Sequence, residues 1–444
     1  MRKRKQRVLP IPATAKIEKL SHDGRGIARI DGKATFIESA LTHELVSFEY
    51  IRQKRDFDEG RLLSIIEASE SRVEPKCPHY SVCGGCSLQH LDGAAQIAEK
   101  QSWLIENLER NGGIKPDLIL SPLVGDLWNY RSKARLSVRY VMKKEKTLIG
   151  FREKVNPRYI TEIECCPVLH KRVDNEIANL RVLIDSFDEP MSIAQIEVAA
   201  GDEDVALIFR NMSPLSRHDE DKLKEFGKSA DFRIFLQPGG VDTVSLLYPD
   251  DGNNFITYSL PNYNIKMQFH PTDFTQVNLS LNRLMVIQAL KLLDLSENDV
   301  VLDLFCGLGN FSLPMAKNCK KVIGIEGSEE MVMRAQMNAN SNGLNNTEFF
   351  AANLDNKDSL INYADYGINK ILLDPPRTGA LEIIKQIGLI KPEVIVYVSC
   401  NQATFARDAD LLVNTHGYKM ETVGVMDMFP HTSHSESIAL FTRS

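Results

Sequence analysis

From about residue 276 onward the chain keeps a strict alternation of helical and strand-forming stretches, a rhythm that few folds accommodate. "LSLNRLMVIQALKLL" sets Leu281, Leu284, Met285, Ala289, Leu292 and Leu293 on one helical face. The apolar runs "VVLDLF", "KVIGIE", "TEFFAAN", "KILLDPP" and "VIVYVSC" follow, separated by helices expected to start near Gly309, Ser328, Ala380 and Gln402. Strands this uniformly apolar are buried on both faces, and right-handed helical crossovers achieve that. The expectation for residues 271–444 is a doubly wound, largely parallel α/β sheet of Rossmann-like type, binding ligands beyond the carboxyl ends of its strands.

The preceding residues read differently. Between Thr14 and about Ile66, short β-type runs ("ATAKIEKL", "GIARI", "ATFIE", "LVSFEYI", "GRLLSII") are broken by Gly and Asp turns. That spacing suggests a small barrel of the oligonucleotide-binding kind, although periodicity does not separate it from other small barrels. A polar link, "EASESRVEPK", leads to the cysteine-rich "CPHYSVCGGC" and then to a helix over about 91–111, closed by Gly112 and Gly113. Residues 127–270 read as mixed α+β. The chain thus divides into 1–69, 70–270 and 271–444.

A formal net charge of −6 argues weakly against a nucleic-acid partner, but net charge hides distribution. Residues 131–160 hold ten basic side chains (Arg131, Lys133, Arg135, Arg139, Lys143, Lys144, Lys146, Arg152, Lys154, Arg158) against Glu145 and Glu153. Tyr130, Tyr140, Phe151 and Tyr159 are interleaved with them. Phosphate contact combined with base stacking needs that composition, and a solvated basic strand pair is the plainer alternative. Residues 1–69 are basic as well, with 14 Lys or Arg against 10 Asp or Glu. "MRKRKQRVLPIPATAK" lacks the apolar core of a signal peptide. No segment approaches the roughly 18–20 apolar residues of a membrane span. A cytoplasmic address with reduced thiols is expected, and no membrane partner.

"DLFCGLGNF" places a Gly-x-Gly turn after a buried strand and before a helix, where backbone can approach a ligand closely. Phe311 and Ser312 stand where a dinucleotide fingerprint would carry its third glycine, which weakens the cradle for a pyrophosphate. Glu326 ends the next strand, where a carboxylate can accept ribose hydroxyls. S-adenosylmethionine, with a ribose and no phosphate, fits both features. "LLDPPR" adds a rigid loop at the same edge. Amine methyltransferases often follow Asp/Asn-Pro-Pro with an aromatic residue, whereas here Arg377 follows, so methylation of an exocyclic amine is disfavoured.

Cys400 ends "VIVYVSC" and faces the start of a helix, where the local potential is expected to lower a thiol pKa below about 8.5. A thiolate can add to carbon 6 of a pyrimidine and make carbon 5 nucleophilic, after which a base must remove the carbon-5 proton. Glu436, in "MFPHTSHSESIAL", is the candidate base. Each residue alone has a plainer reading: a buried small hydrophobe and a surface carboxylate.

Cys77, Cys83 and Cys86 are spaced C-x5-C-x2-C, and Cys165 and Cys166 in "IECCPVL" offer a fourth thiolate. On spacing, zinc and a cubane iron–sulfur cluster are equally acceptable.

These motifs together resemble the RNA 5-methyluridine methyltransferases of the TrmA/RumA type, and within them the cluster-containing branch that modifies 23S ribosomal RNA. The likeness covers essentially the whole chain, through "KIEKLSHDGRGIARIDGKATFIESAL", the cysteine cluster, "NYRSKARLSV", "FTQVN", "DLFCGLGNFSLP", "LLDPPR", "VYVSCNQATFARD" and "FPHTSHSES". It implies an N-terminal TRAM barrel, a central domain with a [4Fe-4S] cluster on Cys77, Cys83, Cys86 and Cys166, and a class I methyltransferase domain. It implies Cys400 as nucleophile, Glu436 as base, and S-adenosylmethionine contacts at Gln276, Phe305, Asn310, Glu326, Asn353 and Asp374. It also implies that the 91–111 helix packs on the catalytic domain. The partner would be 23S ribosomal RNA, with no protein partner evident and a monomer expected. Gln402 departs from the pattern, since the family usually has Pro there; Pro is tolerated rather than required at a helix's first turn, so little loss is expected.

Other readings are the same chemistry on another ribosomal uridine or on tRNA, and an RNA-binding assembly factor with a decayed catalytic domain. The intact set of Cys400, Glu436 and Asp374 speaks against the assembly factor. Cytosine-5 methyltransferases carry Pro before the nucleophilic cysteine, and Ser399 stands there instead.

Overall fold

The alternation after residue 276 becomes one eight-stranded sheet in a computed structural model that describes residues 12–443; the basic run over 1–11 lies outside the described residues. Its order is Thr347–Ala351, Lys321–Glu326, Val300–Leu304, Lys370–Leu373, Val394–Ser399, Glu436–Arg443, Tyr418–Met426 and Leu118–Ile119. All pairs are parallel except the two made by Glu436–Arg443. Sequence order reverses between Val300–Leu304 and Lys370–Leu373, so a crevice opens at their carboxyl ends. The short strand Leu118–Ile119, supplied from far upstream, closes the far edge and was not anticipated.

Helices cover both faces. Leu279–Leu293 and Glu329–Ser341 pack on one, and Gly93–Gly112, Leu381–Ile390 and Gln402–Asp410 on the other. Capping explains several starts: Asn278 Oδ1 accepts from Leu281 N at 3.1 Å, Ser328 Oγ from Met331 N at 3.4 Å, and Asn401 Oδ1 from Ala403 N at 3.1 Å. One expected face is rotated. Leu284 is 39% exposed, while Asn282 is buried because its amide pairs with Asn310. The helix expected near Gly309 is short, Ser312–Ala316, because the preceding residues form a tight turn with positive φ at Phe305, Gly307 and Gly309.

Residues 13–67 form a six-stranded sheet around Ile17, Ile37, Val46 and Phe48. Its two edge strands, Ala13–Lys16 and Lys19–Leu20, are consecutive halves of one extended stretch. Ile17 N donates to Glu44 O on one side and Glu18 N to Ile27 O on the other, so the sheet curls back on itself. A second six-stranded sheet spans 133–248, backed by Lys171–Asp185 and Arg217–Ala230. The hairpin Ile256–Leu260/Ile265–Phe269 packs into the same core as the catalytic sheet, so burial is continuous across residue 270.

The helix Gly93–Gly112, capped by Asp92 and ended by Gly113 at φ 61°, touches both flanking units. Trp103 Nε1 donates to Leu20 O at 3.3 Å and Lys19 pairs with Glu106 at 2.8 Å. On the other side the Lys100 ammonium, fully buried, pairs with Asp427 at 2.6 Å. Among the described residues no helix is long and apolar enough to cross a membrane.

Candidate active site and cysteine pocket

The Gly-x-Gly turn and the next strand end are locked together by Glu326. Its carboxylate accepts from Gly307 N at 3.1 Å, Gly327 N at 2.8 Å and Ser328 N at 3.2 Å, which fixes its direction at the crevice. At Gly309 (φ 93°) an added Cβ would stand 2.4 Å from Leu313, so glycine is required there. Phe305 holds φ 65° without being glycine, a strained conformation of the kind that gathers at ligand sites. Beneath the turn Asp303 is fully buried; one oxygen accepts from Ser312 Oγ and the other has no partner. Desolvation pushes its carboxyl up to about 7. The Asn310 side chain is engaged by its neighbours. Its Oδ1 accepts from Tyr258 OH and Asn282 Nδ2, and its Nδ2 donates to Asn282 Oδ1, all at 2.9 Å. The side chain therefore anchors the turn. Gln276 lies in a loop held by Ser132, whose hydroxyl donates to Gln276 O and Val277 O. Asn353 is exposed and caps its own turn through Asp355 N at 3.0 Å.

Strand register explains how Cys400 and Glu436, 36 positions apart, come together. Ser399 pairs with Ser437 on antiparallel neighbours, so Cys400, which follows one, and Glu436, which precedes the other, leave the same end of the sheet side by side, near enough for the Glu436 carboxyl to act on the Cys400 thiol. Asp374 ends the adjacent strand on the other side, and its loop is tied to the Cys400 helix through Arg377 O, which accepts from Asn401 Nδ2 at 2.9 Å and Thr404 Oγ1 at 3.2 Å. The expected low thiol pKa is overturned. Burial first, then the Glu436 and Asp374 carboxyls, push Cys400 up to about 12, and the Arg377 guanidinium opposes them. Burial and the Asp374 charge hold Glu436 far above the usual carboxylate range, again opposed by Arg377, and desolvation alone puts Asp374 at about 7. One helix N-terminus cannot offset the loss of water and two acids. Arg377, which the sequence marks only as the residue standing in place of an aromatic after Asp-Pro-Pro, is the cation that opposes both shifts.

Cys400 opens onto a cleft of about 700 Å³, walled by Arg377 on the catalytic side, Trp103 on the bridging helix, and Lys19, Arg29 and Phe36 on the N-terminal sheet. The basic segment contributes less than its composition suggested. Tyr130 is buried with its hydroxyl on Pro430 O, Phe151 packs in the central core, and Lys133, Arg135 and Lys146 are committed to Asp273 O, Glu197 and Glu162. Tyr159 remains 59% exposed.

Cys77, Cys83, Cys86, Cys165 and Cys166 line one small cavity with Tyr80 and Arg131. Burial, then the neighbouring thiols, push Cys77 up to about 11 and raise Cys166 further, the latter chiefly against Cys86 and Cys77. Among the described residues, no group of three or more His, Cys, Asp or Glu side chains is placed to hold a metal ion. The pocket is joined to the basic segment backbone to backbone: Gly84 N donates to Arg152 O at 2.8 Å and Lys154 N to Val82 O at 2.9 Å. A Cβ at Gly84 would stand 2.8 Å from Arg152 O, which explains the glycine.

A model of the tRNA (uracil-5-)-methyltransferase family matches residues 252–444. A Legionella pneumophila (strain Corby) 23S rRNA (uracil(1939)-C(5))-methyltransferase RlmD is 59% identical, with each chain covered in full. The protein of that name from Xanthomonas campestris pv. campestris (strain 8004) is 47% identical over 97% of each chain. Among solved structures, the Pyrococcus abyssi tRNA (uracil-54, C5)-methyltransferase in complex with S-adenosyl-L-homocysteine superposes with a TM-score of 0.75 at 25% identity, covering 97% of this chain and 99% of that one.

Proposed function

The chain belongs to the RNA uracil-C5 methyltransferases of these full-length relatives, and from that premise we propose that it methylates carbon 5 of a 23S ribosomal RNA uridine, the one numbered 1939 in its relatives' names, using S-adenosylmethionine. The observation that carries the chemistry is the Ser399–Ser437 register, which sets one thiol against one carboxyl at the ligand edge of the sheet. The higher identity to ribosomal RNA enzymes than to the archaeal tRNA enzyme favours the ribosomal substrate.

Cys400 Sγ adds to carbon 6 of the uracil, and the electrons of the 5,6 double bond move into an enolate, making carbon 5 the nucleophile. When bound, S-adenosylmethionine supplies an electrophilic methyl group and leaves as S-adenosylhomocysteine. Glu436 takes the carbon-5 proton, the double bond re-forms, and the carbon 6–sulfur bond breaks to return the thiolate. Arg377 provides the positive charge that favours the ionised forms of both groups. The orphaned Asp303 carboxyl, the glycine turn and the fixed Glu326 carboxylate fit a ribose-bearing cofactor without phosphate. Phe305, Asn310, Gln276, Asn353 and Asp374 complete the proposed cofactor contacts, Asn310 acting through the backbone it anchors.

Cys77, Cys83, Cys86 and Cys166 are the proposed ligands of a [4Fe-4S] cluster, and their shared, desolvated cavity supports it. The curled sheet of residues 13–67 supports an OB-like TRAM barrel that contributes one wall of the RNA cleft. A cytoplasmic monomer completes the reading.

Tritium release from carbon-5-labelled uridine in 23S RNA, with added S-adenosylmethionine, tests the activity. No release by the wild type, or undiminished release by Cys400→Ala, would refute it.

A further inference from the structure

Glu436 is reached through the loop 427–435, which other parts of the chain grip at several points. Its midpoint, His431, has φ 65°, a backbone conformation that a non-glycine residue keeps only when its surroundings enforce it. Gln96, fully buried on the bridging helix, supplies much of that enforcement. Its Oε1 accepts from His431 N at 2.8 Å, while its Nε2 donates to Leu88 O at 3.0 Å and Leu91 O at 2.8 Å and lies 3.2 Å from His431 Nδ1. From the cysteine segment, Ser87 N and Leu88 N both donate to His431 O at 2.9 Å, and Ser87 Oγ accepts from Ser433 N at 3.0 Å. The His431 ring stacks on Trp128 at 3.9 Å. Ser87 directly follows Cys86, so the arm that holds the loop is the arm that ends the cysteine motif.

We propose that Gln96 and Ser87 are positioning residues for the general base, setting where the Glu436 carboxyl stands relative to carbon 5. This rests on the role of Glu436 proposed above. The strand pair fixes the backbone beside Cys400 and Glu436 alike, whereas Gln96 and Ser87 bond only the loop that enters Glu436, so loss of either spares addition at carbon 6 and methyl transfer and slows the proton removal that follows. A misplacement of about 1 Å at a catalytic group costs up to about a hundredfold in rate.

The test measures turnover, RNA KM and trapped covalent protein–RNA complex on denaturing gels for Gln96→Leu, Gln96→Glu, Ser87→Ala and the reference Glu436→Gln. Gln96→Leu is expected to lower kcat about tenfold or more, leave the KM for RNA within about twofold, and accumulate adduct as Glu436→Gln does. Gln96→Glu, whose carboxyl would be kept protonated by burial and so retains an oxygen for His431 N and an O–H donor for Leu88 O or Leu91 O, is expected to recover part of the loss. Ser87→Ala is expected to show the same signature more weakly, and serves where Gln96→Leu does not fold. Full turnover in Gln96→Leu or, if that variant does not fold, in Ser87→Ala overturns the proposal, as does lost turnover without adduct while Glu436→Gln still traps it. If Glu436→Gln itself traps nothing, the base assignment falls first.

Discussion

Two groups of cysteines in this molecule are both driven away from ionisation by burial, yet their surroundings lead in opposite directions. Cys77, Cys83, Cys86, Cys165 and Cys166 share one small cavity in which Cys77, Cys86 and Cys166 face other thiols, with Arg131 and Lys154 beside Cys83 and Cys86 and with Asp174 and Glu164 beside Cys165. Around Cys400 the neighbours are two carboxyls and a guanidinium at the mouth of an open cleft. Sulfurs that share a buried pocket suit the metal centre proposed above. A sulfur facing an acid and a base at a ligand edge is suited to making and breaking a bond. A raised thiol pKa therefore identifies neither site; the identity of the neighbours and access to substrate do.

The contrast breaks most visibly at the chemistry. Cys400→Ala is expected to lower methylation by on the order of 10⁴-fold or more, as removal of a nucleophile does, with the fold intact by circular dichroism. Cys166→Ser is expected instead to lose the brown colour of anaerobically purified protein and to lower Tm by roughly 5–10 °C, because cluster binding is coupled to folding. A colourless wild-type protein carrying stoichiometric zinc would remove the iron–sulfur assignment and leave Cys400 untouched.

A finer division concerns charge. The guanidinium of Arg377 lowers the pKa of both Cys400 and Glu436, so its removal raises both. Activity requires the thiolate and the carboxylate, hence it rises with pH. Arg377→Gln is expected to displace that rise toward higher pH by roughly half a unit to one unit. An unmoved pH profile of kcat/KM would show that Arg377 serves the RNA rather than the acids.

Legibility in the sequence followed range of interaction. The alternating sheet, the capped helix starts and the glycine turn were readable because each is decided within a dozen residues. Cys400 and Glu436 were nameable from their segments, but their proximity depends on the Ser399–Ser437 register, which no local pattern states. The basic segment misled because Tyr130 and Phe151 turn inward to meet Pro430 and the central core, a matter of tertiary packing. Gln96 and Lys100 did leave a trace: polar residues four apart on the helix face that also carries Trp103 and Leu104. Polar residues on a buried face require partners, and here they are His431 and Asp427, more than three hundred positions away.

The smallest expected effect lies at the one noted departure from the family pattern. Gln402 was expected to matter little because Pro is accepted at a first helical turn. Its side chain nonetheless links the nucleophile's helix to the base's loop, with Nε2 donating to Lys100 O at 3.0 Å and to Ser435 Oγ at 2.8 Å, one residue before Glu436. In Gln402→Pro those two hydrogen bonds are lost, at about 1 kcal/mol each, while the fixed φ of Pro restricts the unfolded chain and returns about 0.4–1 kcal/mol. The net loss of roughly 1 kcal/mol is small against the unfolding entropy of a chain of this length, so Tm is expected to move by less than about 2 °C. Catalysis has no such offset, because only the hydrogen bonds hold Ser435. A kcat lowered about two- to fivefold at unchanged Tm is the expected result, the rate equivalent of up to about 1 kcal/mol. An unchanged kcat would mean that Gln96, Ser87 and Lys100 already determine the loop and that Gln402 adds nothing to it.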